Sequence, residues 1–185
     1  MTAASDGRGL PLPDPRLVDG EVSLRPWALG DASALSAAWA DAEVACWTGV
    51  PPVRDEAGAA RWIAGDEHRR SSGMSLDLVI DVGGAVVGEV GLTGLQDGRG
   101  VGEVGWWIGP DHRARGLAVR AVRLVAAWAL GPLGVEVLEA RCHPDNPASG
   151  GVAERAGFTL AGVDGDAPVE VWRIGPGERG GRVPS

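Results

Sequence analysis

Apolar and polar residues alternate along several short stretches of the chain, and a period of two is typical of half-buried β-strands. This alternation predicts a strand over residues 21–27, which Pro26 ends or confines to a sheet edge. Two more strands are predicted over 76–81 and 85–95, joined by the hairpin turn Val82-Gly83-Gly84. The remaining predicted strands cover residues 103–108, 135–142, 158–161 and 169–174.

Helical spacing of apolar residues is clearest after Gly116, where a stripe runs until Gly131-Pro132 ends the helix. The stripe consists of Leu117, Ala121, Leu124, Val125 and Trp128. A first helix is predicted after an N-cap at Asp31, with Leu35, Ala38 and Trp39 on its apolar face, and further helices over 55–68 and 146–156. The order β-α-α-β-β-β-α-β-α-β-β describes an α+β domain.

The ends of the chain differ in composition from its middle. Residues 1–19 and 176–185 are rich in Gly, Pro and charge without periodicity, which predicts a flexible leader and a flexible tail. Residues 20–175 are therefore expected to form a single domain. At this length the folded chain buries about 70% of the surface of its unfolded form, so the core needs no disulfide or metal.

The charged residues exclude several function classes. All 17 basic residues are arginines, and the chain contains no lysine and no tyrosine. A P-loop and a pyridoxal Schiff base both require a lysine, so neither is expected. The net charge of −8 argues against nucleic-acid binding, which depends on many phosphate contacts.

The cysteines, the histidines and the lack of long apolar runs exclude further classes of function and location. Cys46 and Cys142 form no C-x-x-C pair, which suits a reducing, cytoplasmic location. Three scattered histidines, with Cys142-His143 as the sole short cluster, predict no metal site. The N-terminus lacks a signal-peptide apolar stretch, and no apolar run reaches the ~18–20 residues of a membrane span.

One segment joins a predicted strand to the start of the long helix and is locally basic. Residues 109–123 contain four arginines and one aspartate, so they carry +3 while the rest of the chain carries −11. Free N–H groups and the positive end of the helix dipole make such a junction an anion site, and Gly116 allows close approach of a phosphate. The alternative is an ordinary glycine-containing helix start with arginines in solvent.

Four segments, in this order along the chain, have the residue types and the spacing of a known protein family. They are Glu103-Val-Gly-Trp-Trp-Ile-Gly-Pro110, Arg113-x-x-Gly116-x-Ala118, Asn146-Pro-Ala-Ser149 and Arg155-Ala-Gly157-Phe158. Residues 21–174 thus resemble the GNAT superfamily of acyl-CoA N-acyltransferases, most closely its RimJ/RimL-like branch of ribosomal-protein-alanine N-acetyltransferases. The resemblance implies a mixed, mostly antiparallel sheet of about six or seven strands with about four helices, splayed in its middle.

The resemblance also implies how acetyl-CoA, the co-substrate, is bound. Main-chain N–H groups of the helix start would hold the pyrophosphate, and the preceding strand would bond the pantetheine arm, with a bulge at Gly105. Asn146 would contact the pantetheine and Ser149 would lie near the thioester sulfur; alternatively, Asn146 and Pro147 are simply a good helix start. The implied acetyl-CoA residues are Trp106, Trp107, Ile108, Arg113, Ala114, Arg115, Gly116, Leu117, Ala118, Val119, Asn146 and Ser149.

The expected reaction is direct attack of an amine on the thioester, with the oxyanion held by an N–H near Trp107 or Ile108. Many members of the family protonate the leaving thiolate with a tyrosine, which this chain lacks, so Ser149 or water would serve. Glu103 is the best candidate for a base, ahead of Asp111 and Glu89, although each is also read as a surface carboxylate. Gly150-Gly151 indicates a mobile helix turn or room for the acyl group.

The pKa of the amine is the main restriction on which acceptors the enzyme can use. An α-amine near ~7.7–8.0 is partly neutral at physiological pH, whereas a lysine amine near ~10.4 is not, so an α-amine or a small weakly basic amine is favoured. Residues 45–56 and 160–168 would select the acceptor, with Trp47 lining its pocket. The alternative function is a non-catalytic acyl-CoA sensor or interaction domain. Homodimers are common in the family, but neither the oligomeric state nor the acyl length is marked in the sequence.

Overall fold

A computed structural model describes residues 9–165 and 168–176 of the chain. Within them one eight-stranded sheet has the order β1-β2-β3-β4-β5-β6-β8-β7. The strands are β1 (Val18–Asp19), β2 (Val22–Pro26), β3 (Ser75–Val82), β4 (Ala85–Thr93), β5 (Val101–Ile108), β6 (Val137–Cys142), β7 (Thr159–Asp164) and β8 (Val169–Ile174). Neighbouring strands are antiparallel except β5 and β6, which are parallel. The predicted α+β fold with a mixed, mostly antiparallel sheet is therefore confirmed.

Helices cover both faces of the sheet. They are α1 (Ala32–Ala40), α2 (Ala42–Trp47), α3 (Glu56–Ala64), α4 (Asp66–Ser71), α5 (Leu117–Leu130) and α6 (Pro147–Ala156), with short 3-10 turns at Leu29–Asp31 and Pro110–His112. The larger core lies between α5 and residues such as Leu78 and Val90 on one face. A tryptophan-rich core containing Trp39, Val79 and Trp107 lies on the other face, beneath α1 and α3.

The predicted splay lies between β5 and β6. These strands pair only at Val101–Val137, Gly102–Leu138 and Glu103–Glu139. From Val104 onward β5 continues alongside β4, while β6 continues alongside β8, so a gap opens between them. The predicted bulge at Gly105 is wrong, because Gly105 pairs regularly with Gly91; the gap arises where pairing ends.

Several predicted elements have different boundaries in the structure. The helix predicted over 55–68 is interrupted at Gly65 and forms α3 and α4, and α2 lies partly in the predicted loop 45–56. Asp31 is not the side-chain cap of α1: its carboxylate accepts a hydrogen bond from the Ala28 N–H at 2.9 Å and pairs with Arg25 at 2.6 Å, which closes the preceding 3-10 turn. The strand predicted from residue 135 begins at Val137.

Residues 9–19 of the predicted leader pack against the domain. Leu10 is 1% exposed within the larger core, and its N–H donates to the Arg70 carbonyl at 2.9 Å. Arg99 donates to the Gly9 carbonyl at 2.8 Å, and β1 pairs with β2. Burial of Leu10 thus extends the fold towards the N-terminus, whereas residues 1–8 and 177–185 lie outside the described residues.

Among the described residues, no helix is long and apolar enough to cross a membrane. No group of three or more His, Cys, Asp or Glu side chains within those same ranges is arranged to hold a metal ion.

Candidate active site

A cleft of about 1410 Å³ occupies the gap between β5 and β6. Its walls come from the central strands and from the starts of α2, α5 and α6. Every residue that the sequence analysis assigned to catalysis or to acetyl-CoA lines this cleft. Glu89 also lines it, whereas Asp111 is absent from its lining.

The loop before α5 has the geometry of an anion site. Ala114 and Gly116 both have positive φ, at 59° and 74°, and α5 then begins at Leu117 without a side-chain N-cap. Left-handed residues in such a loop turn successive N–H groups towards one side, and the helix dipole adds positive potential at the same place. The helix start can therefore bind an anion through its main chain.

Arg113 uses its side chain for the protein itself. Its guanidinium donates to Asp41 at 2.6 Å, to Glu43, and to the Ile108 carbonyl at 3.1 Å. A hydrogen bond from the Val44 N–H and the Arg113 ion pair together hold the pKa of Asp41 below its usual value. Arg113 thus fastens α2 to the anion loop, while its N–H donates to the Pro110 carbonyl at 3.5 Å and closes the preceding 3-10 turn.

Other arginines line the cleft near the anion loop. Arg115, Arg120 and Arg123 come from the loop and α5, and Arg155 comes from α6. Arg123 donates to the Arg155 carbonyl, which joins the two helices at this end of the cleft. The sequence analysis did not assign Arg155 to the site, although it lies within one of the four family segments.

The backbone of β5 presents N–H groups to the gap at alternate residues. The Gly109 N–H donates to the Val87 carbonyl of the neighbouring β-hairpin at 2.9 Å. Because N–H directions alternate along an antiparallel strand, Trp107 points its N–H towards β4, and Trp106 and Ile108 point theirs into the gap. Of the two oxyanion donors expected from the sequence, Ile108 has the required direction.

The start of α6 combines capping with exposure to the cleft. The Asn146 side-chain oxygen accepts a hydrogen bond from the Ser149 N–H at 3.3 Å, so the capping interpretation is correct. The Asn146 amide nitrogen has separate donor capacity for a ligand. Gly150 faces β8, since a Cβ there would lie 3.4 Å from Glu170 Oε2 and 3.6 Å from the Trp172 ring.

Glu103 lies at the base of the gap and is exposed. Its parallel partner is Glu139, and Arg141 is nearby. Desolvation raises the pKa of Glu103, Arg141 opposes this, and the charge of Glu139 adds to it. Glu103 is therefore a carboxylate in contact with cleft water.

Glu89 lies deeper, on the face of the sheet beneath α1 and α3. Its two carboxylate oxygens accept hydrogen bonds from Trp27 Nε1 at 2.7 Å and Trp107 Nε1 at 3.2 Å. Burial, followed by the charge of Asp77, raises the pKa of Glu89 to about 8, against the opposing effects of the indoles and Arg69. This carboxyl can change its protonation state near neutral pH.

A comparison with protein families shows that the Acetyltransferase (GNAT) domain matches residues 21–159. The chain belongs to the GNAT acetyltransferase family. The uncharacterized N-acetyltransferase p20 of Bacillus licheniformis is 25% identical to it over 130 residues, which cover 69% of this chain and 73% of p20. As a GNAT member, the chain is an acyl-CoA-dependent N-acetyltransferase with acetyl-CoA as co-substrate.

Solved structures share the GNAT fold. Mycobacterium smegmatis RimJ in complex with CoA-disulfide aligns with a TM-score of 0.76 and 22% identity, covering 85% of this chain and 83% of RimJ. The ribosomal-protein-S5-alanine acetyltransferase of Vibrio fischeri aligns with a TM-score of 0.75 and 15% identity, covering 89% of this chain and 98% of the Vibrio enzyme. The predicted GNAT resemblance is confirmed, and the RimJ/RimL-like branch has the same fold.

The GNAT cleft also contains side chains that the sequence analysis did not assign to it. Trp39 and Trp62 line it from α1 and α3, and Asp77 lines it from β3. Asp77 pairs with Gly91 across the sheet. The strand contains two aspartates, Asp77 and Asp81, among mostly apolar residues, and this was the available signal for Asp77.

Proposed function

We propose that this GNAT enzyme transfers the acetyl group of acetyl-CoA to a primary amine by direct attack in a ternary complex. The observation that carries the proposal is that one cleft contains both an anion-binding helix start and the carboxylates of Glu89 and Glu103. An anionic thioester donor and a cationic acceptor therefore both find complementary groups in the same cleft.

Main-chain N–H groups form most of the proposed acetyl-CoA site. The N–H groups of the anion loop and helix start, from Ala114 to Val119, bind the pyrophosphate, and the cleft arginines add positive charge around it. The Arg113 N–H, which was expected to join them, donates to the Pro110 carbonyl instead. The pantetheine lies in the gap and bonds β5 through Trp106 and Ile108, with Trp107 beside them. Asn146 contacts the arm through its amide, and Ser149 lies near the sulfur.

The chemistry needs three groups. The Ile108 N–H stabilises the oxyanion that forms when the amine attacks the carbonyl carbon. Ser149, directly or through water, protonates the departing thiolate, because the chain has no tyrosine. A cleft carboxylate removes the proton of the amine; Glu103 is the candidate that the sequence favours, and Glu89 also faces the cleft.

The acceptor proposed from its pKa is an α-amine, at a protein N-terminus or on a small molecule. The similarity in fold to a ribosomal-protein-alanine acetyltransferase supports the protein N-terminus. The net charge of −8 favours approach of a basic acceptor.

The test is release of free CoA thiol from acetyl-CoA with a panel of peptides and small amines. Turnover by the wild type, with a loss of about 10-fold or more in kcat for Ser149→Ala, is expected. Tight binding of CoA without turnover of any amine, and no change for Ser149→Ala, would instead identify a non-catalytic acyl-CoA sensor. The missing tyrosine is the observation that keeps the sensor as the second candidate.

A further inference from the structure

The floor of the cleft lacks side chains at one point. Gly91 of β4 and Gly105 of β5 are paired side by side on the face beneath α1 and α3. A Cβ on Gly105 would meet no atom within 4 Å, whereas a Cβ on Gly91 would come within 2.9 Å of Asp77 Oδ1. The two glycines thus leave a recess that the Asp77 carboxylate borders.

Glu89 borders the same recess from the adjacent row of the sheet. It lies opposite Trp107, one pair along from the Gly91–Gly105 pair. Each of its oxygens accepts one indole N–H, which holds the carboxyl in place. An ionised carboxylate has about four acceptor sites, so the indoles leave acceptor capacity for a donor that enters from the cleft.

The surroundings of the recess favour a cation. Trp39 and Trp62 line the cleft with aromatic surface. Arg69 lies 4.0 Å from the Trp62 ring centroid and 3.5 Å from Asp77 Oδ2, so this aromatic cluster already holds one cation beside the recess. The charged groups acting on Glu89 are Asp77 from β3 and Arg69 from α4; β2 and β5 contribute the indole donors Trp27 and Trp107. Asp77 and Glu89 are thus the two carboxyl groups that border the recess, and Arg69 is the cation beside them.

Glu89 and Glu103 lie at different distances from the N–H groups of β5 that point into the gap. Glu89 is level with Trp107 on the adjacent strand, between the two N–H groups that point into the gap. Adjacent strands are about 4.8 Å apart. Glu103 is three residues from Trp106, which is about 10 Å along the strand, and it is further from Ile108. Glu89 is therefore the carboxylate level with the reacting carbonyl.

We propose that the recess formed by Gly91, Gly105, Asp77 and Glu89 binds the ammonium group of the acceptor, and that Glu89, not Glu103, takes its proton. The inference rests on the proposed acetyl transfer. One N–H proton of the ammonium passes to Glu89; the neutral nitrogen forms the C–N bond as the C–S bond breaks. The second N–H proton goes to the thiolate, giving CoA thiol, and Glu89 returns its proton to water.

The recess also restricts the class of acceptor. Asp77 and Glu89 repel a carboxylate next to the reacting amine, so free α-amino acids are poor substrates. Amines without a neighbouring carboxylate, such as peptide N-termini and amino-acid amides, are the favoured class.

The test compares two nucleophiles. One is the panel amine with the highest kcat/KM; the other is its aminooxy analogue, which is already neutral at neutral pH and needs no base. Glu89→Gln should lower kcat/KM by about 100-fold or more with the amine and by less than about 5-fold with the aminooxy compound. Glu103→Gln should lower the value for the amine by much less than Glu89→Gln does. Glu67→Gln, on exposed α4, is the matched control and should change either value by less than about 5-fold.

The pH profile and acetyl-CoA binding complete the test. With the amine, wild-type kcat/KM should rise with a half-maximum near pH 8 as Glu89 ionises. The residual activity of Glu89→Gln should instead follow only the pKa of the amine itself, which is measured separately by titration. An equal loss with both nucleophiles, with acetyl-CoA binding retained, would show a purely structural Glu89. A large loss in Glu103→Gln with a normal Glu89→Gln would assign the base to Glu103 and overturn the inference, while leaving acetyl transfer intact.

A second variant covers the case in which Glu89→Gln does not fold. Asp77→Asn should raise KM for the amine by about 5-fold or more and leave KM for the aminooxy analogue unchanged, since only the amine is charged. Unchanged KM values for both compounds would overturn the ammonium site. A wild type that acts on no amine would overturn the proposed function itself.

Discussion

Glu89 should make the stability of the wild-type protein fall as the pH rises through the neutral range. The pKa of Glu89 in the folded chain is raised to about 8 from its usual value of 4.5. Between these values the unfolded chain has released the proton and the folded chain still holds it. Because the folded state binds more protons there, the free energy of unfolding decreases with pH. The contribution of Glu89 is fully present below pH 4.5 and is lost as the pH approaches 8.

The size of this effect follows from the same pKa difference. A single group contributes about 1.4 kcal/mol for each pH unit in that interval, which sets an upper bound of about 5 kcal/mol. Glu89 is partly in contact with cleft water, and solvent screening reduces the change to about 2–3 kcal/mol. Glu89→Gln has no such titration, but its amide cannot accept both indole N–H groups, which costs about 1 kcal/mol at every pH.

Urea unfolding of the wild type and Glu89→Gln between pH 5 and pH 9 measures the difference directly. The variant should be less stable at pH 5 by about 1 kcal/mol and more stable above pH 8 by about 1–2 kcal/mol. Other titrating groups are shared by both proteins and cancel to first order in the difference. Glu67→Gln should show a constant difference from the wild type. A constant difference for Glu89→Gln as well would refute a raised pKa at Glu89.

Three further variants test other parts of the cleft. Gly105→Ala should keep the wild-type melting temperature but lower kcat/KM by about 10-fold or more, because the new Cβ enters open cleft space. The control Gly100→Ala, on the surface, should change neither the melting temperature nor kcat/KM. Gly116→Ala should lower the free energy of unfolding by about 1 kcal/mol, because its φ is 74°, and should weaken acetyl-CoA binding in calorimetry. Arg113→Ala should weaken acetyl-CoA binding by about 10-fold, because it leaves Asp41 and Glu43 uncompensated beside the anion loop. If the variant bound acetyl-CoA with the same affinity at low salt and in 1 M salt, this electrostatic explanation would be wrong.

The fold was predictable wherever a period was sustained over several residues. The strands β3, β4 and β5 and the long helix α5 all follow clear alternation or a clear apolar stripe. Shorter elements were not predicted, because six residues of α2 and two of β1 carry too little pattern. Their positions depend on tertiary contacts, such as the Arg113 ion pairs that hold the start of α2.

The site was predictable where its residues lie close together in the chain. The anion loop, α5 and the start of α6 are local motifs, so their spacing alone brings them to one cleft. The recess needs the register of three strands: Trp27 is 62 residues from Glu89, and Trp107 is 18 residues from it. A single sequence does not show which residues are opposite one another, so Glu89 ranked below Glu103.

The alternation of β5 explains how one strand can serve both substrates. Its N–H groups at Trp106 and Ile108 point into the gap, where the thioester is proposed to lie. The Trp107 side chain points to the face that holds Glu89, and Gly105 leaves that same face open where the acceptor is proposed to enter. A shift of the β4–β5 register by one residue would exchange these directions and separate the donor from Glu89. The regular pairing of Gly91 with Gly105 is therefore as important to the site as any single side chain.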